Sequence, residues 1–157
     1  MSGAVIRMLS VAALCIAVAG CGTSAVETAE APSAPLSGYR AVVVTVPLER
    51  GVDREIARIV EAEAVLAIKR ARRWRLVVAG SLATGQKQGL NVEIDLRQQE
   101  TGGFKEFTNT STATVSLSDI ATGQRLGGIS ISASGASMEF TAKEIGEQTA
   151  AWLVDLP

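Results

Sequence analysis

The chain has 157 residues, with 15 basic side chains against 16 acidic ones and no histidine. That balance excludes the strongly basic surface on which nucleic-acid binding rests, and the missing histidine removes the commonest acid–base group and metal ligand. The two cysteines, Cys15 and Cys21, both fall within the first 21 residues. The rest of the chain therefore has no thiol nucleophile, no disulfide and no cysteine metal site, and no cofactor is expected.

The N-terminus carries a targeting pattern. Arg7 supplies a positive start, residues 8–19 form the apolar run MLSVAALCIAVA, and Val18-Ala19-Gly20-Cys21 follows. The run is too short for a membrane span, which needs about 20 apolar residues, and has the length of a signal core. Small residues at Ala19 and Gly20 let the chain lie extended in a peptidase cleft, and Cys21 supplies a thiol for a diacylglycerol. The four residues resemble the lipobox of bacterial lipoproteins. The resemblance implies a signal peptide over residues 1–20, cleavage between Gly20 and Cys21, and a mature N-terminus carrying fatty acyl chains such as palmitate on Cys21. Position 22 is Gly rather than Asp. By resemblance to Gram-negative lipoproteins, this favours an outer-membrane anchor facing the periplasm.

Residues 22–38, GTSAVETAEAPSAPLSG, are small, polar and proline-containing, with no apolar period. With Cys21 they read as a flexible tether spanning roughly 20–25 Å. A single domain is expected over residues 39–157. It opens with the β-branched run YRAVVVTVP (39–47), which reads as a buried strand. A helix is expected over residues 52–71, with Asp53 and Glu55 in its first turn and Lys69 and Arg70 in its last, matching the helix dipole. Its apolar face would carry Val52, Ile56, Ile59, Val60, Leu66 and Ala67, interrupted by Glu63. A strand over residues 74–82 completes a βαβ unit with a right-handed crossover.

Residues 90–97 then alternate, with Leu90, Val92, Ile94 and Leu96 on one face and Asn91, Glu93, Asp95 and Arg97 on the other, the pattern of a strand with one wet face. Residues 98–111 are polar, contain Gly102-Gly103, and read as a long exposed connection. Strands over residues 112–119 and 126–133, joined by the turn Ala121-Thr122-Gly123-Gln124, form a hairpin. A final helix is expected over residues 142–154. Thr141 and Glu144 stand at capping-box spacing, and Phe140 and Ile145 stand where a hydrophobic staple would be. The order is β-α-β-β-β-β-α, an α+β domain with one mixed sheet, two helices packed on one face and the other face partly open.

The strand AVVVTV, the strand LVVAGSL leading into NVEIDL, the hairpin ATVSLSDIATGQRLGGISI and the closing amphipathic helix resemble an uncharacterised family of bacterial lipoproteins, domain of unknown function 4410. The Asp-x-Ala-Thr-Gly turn is its most typical piece, and the resemblance covers residues 39–156. The layout is also similar to periplasmic modules of curli-secretion lipoproteins and of lipoprotein activators of cell-wall synthases. These similarities imply assembly or binding roles and supply no catalytic residues.

Candidate chemistry is sparse. GSLATGQK (80–87) has the look of a phosphate loop, but Gln86 separates Gly85 from Lys87 and no hydroxyl residue follows the lysine, so a strand-to-strand turn is the better reading. Serines at residues 130–137 have no histidine to activate them; a Ser-Lys pair would use Lys105 or Lys143 as base, but nothing in the sequence fixes either lysine in an apolar pocket. Glu93 and Asp95 share a strand face, whereas a glycosidase pair comes from separate elements. The strongest binding candidate is the run Lys69, Arg70, Arg72, Arg73 and Arg75 around Trp74, which suits phospholipid or lipopolysaccharide phosphates or an acidic partner. It also suits the purely structural role of cations at a helix C-terminus. The expected function is a non-enzymatic, lipid-anchored interaction module in envelope assembly, transport or maintenance, with an envelope protein as partner. Two alternatives are a small-ligand or glycan-binding lipoprotein and an oligomeric ring or pore component.

Overall fold

The structure, a computed structural model, describes residues 22–82, 88–103 and 106–157. The expected α+β architecture is present: one mixed sheet with two helices packed on one face. Its strands are β1 (Gly22–Glu30), β2 (Ala41–Thr45), β3 (Leu76–Ala79), β4 (Gly89–Gly103), β5 (Glu106–Asp119) and β6 (Arg125–Gly135). The helices are α1 (Arg54–Arg70) and α2 (Met138–Asp155), and the spatial strand order is β1-β6-β5-β4-β2-β3.

The strand β2 is parallel to both β3 and β4, so β2-α1-β3 is the expected crossover unit, while β4, β5, β6 and β1 pair antiparallel in turn. The alternation read from the sequence sets the inner face. Leu90, Val92, Ile94, Leu96, Ala113, Val115, Leu117, Ile129, Ile131 and Ala133 are all buried beneath the helices. The two helices meet closely where α2 carries Gly146. A Cβ there would stand 2.9 Å from the Val60 carbonyl oxygen, too near for any side chain.

Five expectations are corrected. Residues 22–30 are not a free tether but the edge strand β1, paired with β6 along its length with one irregularity between Val26 and Thr28. No residue of β1 is fully buried. What holds it is the backbone ladder rather than apolar burial, so it leaves no hydrophobic period to read. Residues 98–111 are not a connection but the extended halves of β4 and β5, paired to Gly103 opposite Glu106. Their alternation fails because polar groups satisfy one another there. Ser111, buried beneath α2, bonds Thr141 at 2.7 Å, and the Asn109 amide donates to the Ala136 carbonyl at 3.1 Å.

Third, α2 starts one turn earlier than expected. Ser137 is its N-cap, accepting from the Phe140 N–H at 3.1 Å. Thr141 is inside the helix and buried, Glu144 accepts from Ser24 in β1, and Phe140 lies over Gly22 and Gly135, so neither the capping box nor the staple forms. Fourth, the buried stripe of α1 is Ile56, Ala57, Val60, Ala64 and Ile68, rotated from the expected face. Leu66 is 44% exposed, and Val52 precedes the N-cap Asp53. Small residues take the place of larger ones because α2 approaches on that side. Fifth, the third strand is shorter than residues 74–82, and Trp74 is buried in the turn before it.

Candidate functional site

The sheet has two dissimilar ends. Gly22 lies opposite Gly135, which pairs with Asn109, itself opposite Glu100. Leu76 lies opposite Ala41, which pairs with Gly89. From Gly89 to Glu100 along β4, at about 3.3 Å per residue, the two levels are roughly 35 Å apart. Both helices begin at the Gly22 end and finish at the Leu76 end, since α1 follows β2 and returns to β3, while α2 follows Gly135.

Gly22, the residue after the lipidation candidate, lies at the first end. Gly20 and Cys21 lie outside the described residues, but the next residue is already in the sheet. The Phe140 ring occupies the space in which side chains at positions 22 and 135 would stand, which is why both are glycine. The Ser24 hydroxyl donates to Glu144 Oε2 at 2.8 Å and accepts from Gln148 Nε2 at 3.3 Å. The chain is thus fixed to β6 and α2 from the residue after the candidate acyl site.

The basic run belongs to the second end and divides into two kinds of residue. Arg73 is structural: its Nη1 donates to the carbonyls of Val154 (2.8 Å) and Leu156, and its guanidinium lies 4.9 Å from the centre of the Trp74 ring. It caps the C-terminus of α2, whose last turn has no basic residue of its own. Lys69, Arg70, Arg72 and Arg75 are exposed, and none forms an ion pair among the described residues. Arg72 has φ of 55°, the left-handed turn that ends α1 and aims the following residues back toward α2. Beside Arg70 a shallow groove of about 320 Å³ runs between the helix C-terminal halves, floored by Ala67, Ala71, Ala150 and Ala151, with Glu147 on its other lip.

The remaining candidates are not brought into a catalytic arrangement. Glu93 and Asp95 lie on the face of the sheet away from the helices, opposite Ser116 and Thr114. Asp95 Oδ1 is buried without a hydrogen-bond partner. Ser130, Ser132 and Ser134 share that face, whereas Lys143 is exposed on α2, across the sheet from them. Glu63 is half-buried with its Cβ against Gly146 and makes no ion pair among the described residues. Lys105 and residues 83–87 of the GSLATGQK segment lie outside the described residues. Among the described residues, no cluster of three metal-ligating side chains forms, and no helix is long and apolar enough to cross a membrane.

One polar pair escaped the sequence reading. The Tyr39 hydroxyl donates to Asp119 Oδ2 at 2.7 Å, while Asp119 Oδ1 accepts from the N–H groups of Ala121 (2.7 Å) and Thr122 (3.0 Å). Asp119 thereby holds the β5–β6 turn, with Gly123 at φ of 69°, and ties it to the approach to β2. The hydrogen bond with Asp119, then burial, pushes the Tyr39 hydroxyl up to about 12, and the same bond holds the Asp119 carboxyl below its ordinary value. The Asp-x-Ala-Thr-Gly sequence could have pointed to the turn, but nothing in it pointed to Tyr39.

No family model matches this chain, and no curated protein sequence matches it significantly. Among solved structures it is similar to the PelC dodecamer from Paraburkholderia phytofirmans, at 14% identity and a TM-score of 0.59, over 87% of this chain and 99% of that one. It is similar also to a single-substitution variant of that PelC, again a dodecamer in another crystal form, at 14% identity and a TM-score of 0.57, over 84% and 96% of the two chains. At that identity the likeness is one of fold.

Proposed function

We propose that this chain is a lipoprotein, cleaved after Gly20 and acylated on Cys21, that sits on the periplasmic face of the outer membrane as a non-enzymatic, self-associating module of envelope assembly. The observation that carries the reading is the placement of Gly22. A lipobox followed directly by a sheet strand leaves no linker between lipid and fold, so the domain is held close against its membrane rather than on a leash. Two or three acyl chains suffice for stable anchoring, since each buried methylene contributes about 0.8 kcal/mol.

Self-association is supported by the fold shared with chains that crystallise as dodecamers and by the outer edge of β3, which no described strand covers. Anchored copies confined to one surface have lost part of the freedom that association in solution would cost them. The test is to express the full chain with a fatty-acid analogue, extract it in mild detergent and determine the mass of the labelled species. The proposal expects label on the wild type, none on Cys21→Ala, and a protein mass that is a multiple of the protomer. Labelled protein of protomer mass at all concentrations would remove self-association, and unlabelled protein would remove the anchor.

A further inference from the structure

We infer that the exposed cations at the Leu76 end form a membrane-distal docking site for an acidic protein segment that also inserts apolar side chains into the adjoining groove. The inference rests on the proposed acylation of Cys21. Three observations lead to it. Lys69, Arg70, Arg72 and Arg75 are exposed and free of ion pairs among the described residues, whereas Arg73 is occupied in capping α2. The groove beside Arg70 is lined by Ala67, Ala71, Ala150, Ala151 and Val154, so cation and apolar wall adjoin, and its single carboxylate, Glu147, is outnumbered by the four exposed cations.

The third observation is the position of the site. The sheet separates it from the Gly22 level by roughly 35 Å at about 3.3 Å per residue. A surface charge acts over a Debye length of about 8 Å at physiological ionic strength. With β1 fixed from residue 22, no slack segment separates the acyl site from the fold, so a domain standing on its Gly22 end holds these cations well beyond that range. In that attitude the head groups of the bilayer are out of reach, and a carboxylate-bearing protein on the periplasmic side is the fitting partner. Arginine suits this role because its planar fork takes a carboxylate in two hydrogen bonds.

The experiment has two arms. Acylated full-length protein is reconstituted in phosphatidylcholine vesicles with or without phosphatidylglycerol, carrying a fluorophore at Ala136→Cys (Gly22 end) or Gln124→Cys (Leu76 end), both exposed positions. A nitroxide on the lipid head group should quench the first at least threefold more than the second, whatever the lipid charge. In the second arm, fluorescent peptides of pure glutamate or of alternating glutamate and leucine are titrated into soluble Cys21→Ala protein. The leucine-containing peptide should bind several-fold tighter. Arg70→Glu with Arg72→Glu should weaken both peptides at least tenfold, and the exposed pair Arg50→Glu with Arg54→Glu should change neither.

Equal binding by the Arg70/Arg72 variant would overturn the site. So would Arg70- and Arg72-dependent binding to phosphatidylglycerol vesicles that outcompetes both peptides, which would make the partner a lipid surface. Loss of the acyl group alone is read separately: Cys21→Ala protein that stays with the membrane refutes the anchor, while the peptide arm still decides the cations.

Discussion

Gly22 stands opposite Gly135 in the β1–β6 ladder, and a single ring, that of Phe140 in the first turn of α2, covers both. The residue after the acylation candidate is therefore part of a three-element contact. Gly135→Ala forces a methyl into the ring and is expected to destabilise the domain by about 1–3 kcal/mol. Adding Phe140→Ala should recover part of that loss, so the double variant should melt higher in urea than the sum of the single effects predicts.

The Tyr39–Asp119 bond makes stability depend on pH in two places. Tyr39 has its folded value raised from 10.0 to about 12. Its contribution is present below 10.0 and is lost as the pH rises toward 12. Asp119 is lowered, so its contribution is present above the ordinary carboxylate value and is lost as the pH falls through the depressed folded value. Tyr39→Phe should abolish the alkaline decline and move acid unfolding to higher pH. Melting temperatures across the pH range check both signs.

Thr141 and Ser111 share a buried hydrogen bond of 2.7 Å, and Thr141 Oγ1 lies 2.9 Å from the Met138 carbonyl oxygen. Thr141→Val keeps the shape but leaves the Ser111 hydroxyl beneath α2 without that partner. A loss of about 1–3 kcal/mol in denaturant titration is expected. Thr141→Val with Ser111→Ala should cost less than the sum of the two single changes, because neither hydroxyl is then stranded.

Two neighbouring arginines should behave oppositely. Arg73→Ala removes the donors to Val154 and Leu156 and is expected to cost about 1–3 kcal/mol. Arg72→Gly, at a φ of 55°, relieves a left-handed residue and should hold or raise stability by up to about 1 kcal/mol. Thermal melts of the two variants separate the structural cation from the exposed one.

The sequence was legible where burial imposes a period. Leu90 to Leu96, Ala113 to Leu117, and the β-branched run of β2 mark the inner face of the sheet because one side of each meets the helices. It was illegible where backbone or polar pairing does the holding. Strand β1 is an exposed edge of Thr, Ser, Ala and Glu, chemically indistinguishable from a linker until β6 is placed beside it. The arm of β4 and β5 fails to alternate because Asn109 and Ser111 find partners at the start of α2. Ser137, not Thr141, caps that helix because Thr141 is needed inward. For the same reason the basic run was readable only as charge. Which cation caps α2 and which stay exposed depends on where Val154 and Leu156 arrive.

The most direct test of the account is the mass of the N-terminal peptide of the mature protein recovered from the envelope. The account predicts a chain beginning at Cys21 with a diacylglyceryl thioether and a fatty acyl group on its amine. A mature chain starting at any other residue, or an unmodified Cys21, would contradict it.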